Sequence, residues 1–197
     1  HESNRHAMSL MERVEERIEG AEDPLLTAIE YAIAGNSIDF GAFHNLDVEK
    51  TISERVTEEG AHIKNEEPRL FAYEKLCRRL ESSSTLLYIA DNAGELVFDY
   101  LLLRQIRRNY PHVDITVAMR DRPILNDATV EDARQIGLDE DFTVVSSGSA
   151  APGTILEECS DDFRSRFSRA ETVMSKGQGN YETLSDSPRD IFLLLRT

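Results

Sequence analysis

The chain has 197 residues, with 37 Asp and Glu against 22 Lys and Arg and a formal charge of −15 when the histidines are neutral. That balance disfavours sequence-independent nucleic-acid binding and docking on an anionic membrane, because both need a basic patch that displaces the counterions of phosphates. At 40% hydrophobic residues the chain can build a core, which excludes a disordered polymer, and its length suits one domain with at most a smaller companion.

Residues 1–81 read as helices. Met8, Met11, Val14 and Ile18 recur at spacings of three and four, Gly20 stops that pattern, and Asp23-Pro24 opens the next helix with Leu25, Leu26, Ile29 and Ile33 inside. Gly35 ends it. A loop through Asn36 and Asp39 comes next, then helical patterns at 47–59 and 68–80. Helices this short cannot bury their apolar stripes alone, so they are expected to pack on one another and on the C-terminal remainder of the chain.

From Ser82 the pattern changes to short apolar runs. Strands are predicted at 85–90, 113–119, 142–146, 171–175 and 191–195, alternating with helices at 94–108, 128–136 and 155–167 and a short turn or helix at 180–185. Strands buried on both faces and separated by helices predict right-handed βαβ units. The expected fold class is α/β, a three-layer α/β/α sandwich with a mostly parallel, doubly wound sheet: a helical subdomain at 1–81 and a Rossmann-like domain at 82–197. The chain opens on a histidine, and its last apolar run breaks off at Arg196-Thr197, so sequence is expected beyond both ends. No apolar run approaches the roughly 18 residues that span a bilayer. Cys77 and Cys159, far apart and outside any C-x-x-C, read as reduced thiols of a cytoplasmic protein.

Ligands of such sheets bind at the carboxyl ends of the strands. There the chain places Asp91-Asn92-Ala93-Gly94-Glu95, then Arg120 and Asp121 leading to Asn126-Asp127, and Lys176-Gly177-Gln178-Gly179-Asn180. Each has two readings. Asp91 or Asn92 could cap the helix behind it, Asn126-Asp127 could open the next, and the glycine segment could be a plain turn. The other reading is chemical. Asp91, Asn92 and Asp127 form a small hard-oxygen set suited to a divalent cation such as Mg²⁺ or Mn²⁺, and Lys176 with the amides around Gly177 and Gly179 suits a phosphate. There is neither a Walker A loop nor a G-x-G-x-x-G after the first strand, which demotes nucleotide hydrolases of that class and nicotinamide oxidoreductases. His1, His6, His44, His62 and His112 lack H-E-x-x-H spacing, so a zinc hydrolase is unsupported. Arg104, Arg107 and Arg108 read as the solvated, dipole-favoured end of a helix.

The runs from Asp91 to Asp99, from Arg122 to Thr129 and from Lys176 to Glu182 resemble, in order and spacing, three signature segments of the metal-dependent damage-control phosphatases. The segment from Gly35 to Asp39 resembles a further one of their stand-alone microbial branch. The resemblance implies a helical N-terminal part on an α/β/α sandwich, a divalent metal (Mn, Ni, Co or Mg), and hydrolysis of small phosphorylated metabolites such as sugar phosphates. It implies Asp91, Asn92 and Asp127 as metal ligands and Lys176, Gly177, Gln178, Gly179 and Asn180 as the phosphate loop. Asp91 and Lys176 would act in catalysis, the attack coming from a metal-activated water or from a carboxylate, Asp91 first. Asn36 and Asp39 have two readings of their own, a closing loop that touches sugar hydroxyls or a turn held by Asx bonding, and Glu95 either favours the helix dipole or stands behind the metal. The distant members' Arg-Thr-x-Lys would begin at Arg196-Thr197, and the microbial branch's paired N-terminal cysteines are absent. An S-adenosylmethionine-dependent methyltransferase and a non-catalytic metal- or ligand-binding module are the alternatives. The oligomeric state is left open.

Overall fold

The computed structural model describes residues 2–35 and 72–195. Asn36, Asp39, the helix expected over 47–59 and Arg196-Thr197 lie outside those residues.

Helix α1 (Glu2–Glu19) stops before Gly20, whose N–H bonds the Glu16 carbonyl at 3.0 Å. Helix α2 (Pro24–Gly35) opens where Asp23 Oδ1 accepts the Leu26 N–H at 3.0 Å, with proline in the first turn where its missing N–H costs nothing. The Tyr73 hydroxyl, at the start of α3 (Tyr73–Ser82), lies 2.8 Å from each Asp23 carboxylate oxygen and clasps the two helices together.

The sheet then begins. β1 (Thr85–Ile89) leads through a 3-10 turn (Ala93–Glu95) into α4 (Leu96–Asn109), and β2 (Asp114–Met119) into α5 (Val130–Gln135) and α6 (Leu138–Asp141). β3 (Thr143–Ser146) is followed by a 3-10 turn (Leu156–Glu158) and α7 (Asp161–Arg169), β4 (Thr172–Lys176) by α8 (Gln178–Leu184), and β5 (Phe192–Leu194) comes last. The strands lie parallel in the order β3-β2-β1-β4-β5. The fold is therefore α/β and doubly wound, as expected. The chain reverses its winding between β1 and β4, and that crevice is where open parallel sheets hold ligands.

Alternation along the strands separates two cores. Leu86, Tyr88, Ile115, Val117 and Met174 face one side, where Val14, Ile18, Ile29, Phe98 and Leu102 of the helices cover them. Leu87, Ile89, Ala118 and Val173 face the other, against Phe163, Phe167 and Leu184. The described N-terminal helices thus share their core with the sheet, and Tyr31 of α2 stacks on Phe98 of α4 at 6.4 Å between ring centres. The arginines at the end of α4 do more than face solvent. Arg104 and Arg108 pair with Glu15 and Glu19 of α1 at 2.7 and 3.1 Å, and Arg107 with Asp141 at 3.0 Å. Cys77 and Cys159 are thiols, Cys159 buried with Sγ donating to the Ile155 carbonyl. Among the described residues no helix is long and apolar enough to cross a membrane.

Candidate functional site

The residues expected to cap helices at the strand ends do not cap them. Asn92 holds the N-cap position of the 3-10 turn with extended backbone, φ −96° and ψ 149°, yet makes no capping bond. Its Nδ2 donates instead to Asp91 Oδ2 at 3.0 Å and to Glu95 Oε1. Helix α5 is capped at Thr129, where the Asp132 carboxylate accepts the Thr129 N–H at 2.9 Å and its hydroxyl at 2.7 Å. Asp127 lies two residues before that cap and takes no part in it. Its Oδ2 accepts from Arg120 Nε at 2.7 Å.

Backbone bonds then draw the first two strand-end loops together. The Ala128 N–H donates to the Asp91 carbonyl at 2.7 Å and the Ala93 N–H to the Asn126 carbonyl at 2.8 Å, with Asn92 and Asp127 opposed in an antiparallel bridge. Two loops that could otherwise move separately satisfy one another's polar groups, which sets Asp91, Asn92 and Asp127 side by side at the switch point.

The loop after β4 closes on the same place. Gly177 has φ +89°, and a Cβ there would overlap the Asp91 carboxylate, so only glycine lets this backbone approach. Gly179 is approached in turn by Gly153, φ +78°, where a Cβ would overlap the Gly179 carbonyl. Gln178 is exposed and donates from Nε2 to Glu182 at 2.9 Å. Lys176 differs from its expected placement because β4 runs one residue further than the apolar run suggested. As the last strand residue it falls on the Met174 face, towards α4, fully buried, with Nζ 2.7 Å from Asp99 Oδ1 and 2.6 Å from Glu95 Oε2. In this arrangement it has no surface to offer a ligand. Asn180 is equally buried and spent within the protein. It donates to the carbonyls of Lys176 at 2.7 Å and Ala90 at 3.2 Å, and accepts from Arg120 at 2.9 Å and Thr154 at 2.7 Å.

Sequence reasoning missed three residues. Arg120 is the first residue past β2, and its guanidinium reaches Asp127, Asn180 and, through Nη1 at 3.1 Å, the Thr154 hydroxyl, so it joins three loops. Thr154 arrives from the loop after β3, which no motif marked. Asp99 did leave a signal: a carboxylate among Leu96, Phe98, Leu102 and Leu103 is a charge on an otherwise apolar helix face, and such charges are paired or functional.

The electrostatics reflect this crowding. Burial, then the charges of Glu95 and Asp127, push the Asp91 carboxyl up to about 7 against the pull of Lys176 and Arg120. Burial likewise raises Glu95 and Asp99, with Lys176 opposing. Burial alone would lower the Lys176 ammonium, but Asp99 and Glu95 outweigh it and hold it above its ordinary value. With all groups ionised, Asp91, Glu95, Asp99 and Asp127 bring four negative charges against two positive ones from Lys176 and Arg120, an excess of two. Among the described residues no three His, Cys, Asp or Glu side chains converge to hold a metal by themselves. The set at hand has a different make-up, two carboxylates and an amide oxygen, and both its hard-oxygen chemistry and the excess charge beneath it fit a divalent cation.

A family model described as the damage-control phosphatase ARMT1-like domain matches residues 1–197. A protein of Methanocaldococcus jannaschii, described as uncharacterized, is 36% identical over 189 residues, covering 93% of this chain and 59% of its own length. A damage-control phosphatase of Archaeoglobus fulgidus is 35% identical over 188 residues, covering 93% and 62%. The crystal structure of a DUF89 family protein from Pyrococcus horikoshii matches with a TM-score of 0.84 at 30% identity, covering 98% of this chain and 64% of that one. The chain therefore spans about three fifths of the length of these relatives.

Proposed function

The chain belongs to the damage-control phosphatase family of the ARMT1-like domain, and we propose that its strand-end cleft hydrolyses small phosphomonoesters, sugar phosphates or damaged phosphorylated metabolites, around a divalent cation. Asp91, Asn92 and Asp127 hold that ion, which is Mn, Ni, Co or Mg. The observation that carries the reading is the pair of backbone bonds between the loops after β1 and β2, because they place two carboxylates and an amide side by side where the sheet changes its winding.

Such an ion, when bound, supplies charge neutralisation at the phosphate oxygens. The chain's own residues supply the rest. Arg120 holds one oxygen of Asp127 and so leaves the other to the cleft. The backbone of residues 177–179, admitted against Asp91 by Gly177, takes the phosphate oxygens that the cation does not, with Gln178 on the exposed side. Asn180 supports that segment from behind through the Lys176 carbonyl. Asp91, between the glycine backbone and the other ligands, is the first candidate for the group that meets phosphorus. Asn36 and Asp39 complete the proposal as contacts to sugar hydroxyls.

The test is a cation titration of p-nitrophenyl phosphate and sugar-phosphate hydrolysis, with Asp91→Ala as control. Turnover that depends on the cation, stops with chelator and falls by on the order of 10²-fold or more in the variant is expected. Equal activity in variant and wild type overturns the proposal.

A further inference from the structure

An asparagine that ligates a cation must present its oxygen, since the amide nitrogen carries two hydrogens and no lone pair to give. The shape of the carboxamide does not select the end; its partners must. Asn92 Nδ2 donates to Glu95 Oε1 and to Asp91 Oδ2 at 3.0 Å, both atoms of carboxylates, so the NH₂ end is claimed and Oδ1 lies at the other end of the amide.

Glu95 is held in turn. Its Oε2 lies 2.6 Å from the Lys176 ammonium, whose second carboxylate partner is Asp99 at 2.7 Å, and all three side chains are buried. An ammonium carries positive charge and presents donors only, so residue 95 must turn an oxygen towards Lys176 to pair with it and keep an acceptor towards Asn92 at the other end. Among side chains of this length only a carboxylate does both. Strand parity put Lys176 there: β4 ends on it, and it shares the Met174 face against α4.

We propose that Lys176 and Glu95 are positioning residues, a buried pair that sets the Asn92 amide so that its oxygen faces the cation, and that Lys176 acts through Glu95 instead of touching phosphate. This rests on the reading of Asn92 as a cation ligand.

Calorimetric titration of the protein with Mn²⁺ alone tests it. In Glu95→Gln the side chain has one acceptor end and one donor end; Lys176 takes the oxygen, the amide nitrogen meets Asn92, and Asn92 must turn. Mn²⁺ affinity is expected to fall about tenfold or more. Adding Lys176→Met to Glu95→Gln frees the Gln oxygen to accept from Asn92 again, and most of the affinity is expected to return. A merely structural role predicts the opposite, a double variant worse than the single one. Wild-type affinity in Glu95→Gln, or a double variant that binds no better than the single one, overturns the inference.

A second measurement needs no variant. In the unaltered chain the Asn92 side-chain amide protons, held by two carboxylates, are expected to exchange slowly by NMR, and exchange at the rate of a solvated amide overturns the inference. Wild-type protein that takes up no Mn²⁺ removes the cation reading and this inference with it. Mn²⁺ uptake that Asp127→Ala abolishes and Glu95→Gln leaves intact removes the inference alone.

Discussion

Arg120 donates to Asp127, Thr154 and Asn180 from three nitrogens of one guanidinium, a fork that no other cationic side chain can reproduce. Replacing it with Met leaves the largely covered Asp127 carboxylate without its partner and two buried acceptors each one donor short, and a loss of about 3 kcal/mol is expected in urea unfolding. Arg120→Lys should recover only part of that, because a single ammonium cannot reach three acceptors. Gly177 is a second test at this scale. With φ +89° and Asp91 against its Cα, Gly177→Ala should cost more than about 1 kcal/mol and weaken Mn²⁺ binding together, since the strain can relax only by moving Asp91. Both residues stand in strand-end segments that the sequence marked, but their roles were not visible there. Arg120 depends on Thr154, 34 positions away, and Lys176 on Asp99, 77 positions away, and no local pattern encodes such pairings.

Elements were more legible because their signals are local. The break at Gly20, the Asp23-Pro24 start and the apolar runs of the strands all fall within a few residues of the observed boundaries. Where the reading slipped, neighbouring elements explain it: pairing of Lys176 with Leu194 of β5 extends β4 by one residue. Capping was legible in kind but not in place, since Thr129 with Asp132, and not Asn126-Asp127, starts α5. Asp132→Ala should therefore cost about 1 kcal/mol of stability and leave cation affinity unchanged, whereas Asp127→Ala should abolish cation binding. The end of α6 gives a pH test. The Tyr100 hydroxyl and Arg107 hold the Asp141 carboxyl below the usual carboxylate range. A depressed folded value stabilises above the unfolded value of about 3.9, and the gain is lost as pH falls through the folded one. At pH 7 Asp141→Asn should cost less than about 1 kcal/mol, Asp141 being partly exposed, and denaturant melts should show the difference shrinking below about pH 4.

In the whole molecule, the crevice between β1 and β4 gathers four carboxylates and two cations, an excess of negative charge that the proposed divalent ion would offset. Mn²⁺ at about a hundred times its dissociation constant should raise unfolding stability by about 2.7 kcal/mol, seen as a higher melting temperature that chelator reverses and Asp127→Ala lacks. Hydrophobic period, glycine and proline are properties of neighbouring residues, so the α/β class, the succession of strands and helices, and the three segments that meet at the strand ends could be read from the chain alone. Which of those side chains face the cleft followed from the packing of the folded chain. Lys176 and Asn180 turn inward and Arg120 becomes the tie between loops, because strand parity and the β3-β2-β1-β4-β5 order choose each buried charge's partner, and a buried charge must be satisfied wherever in the chain its partner lies.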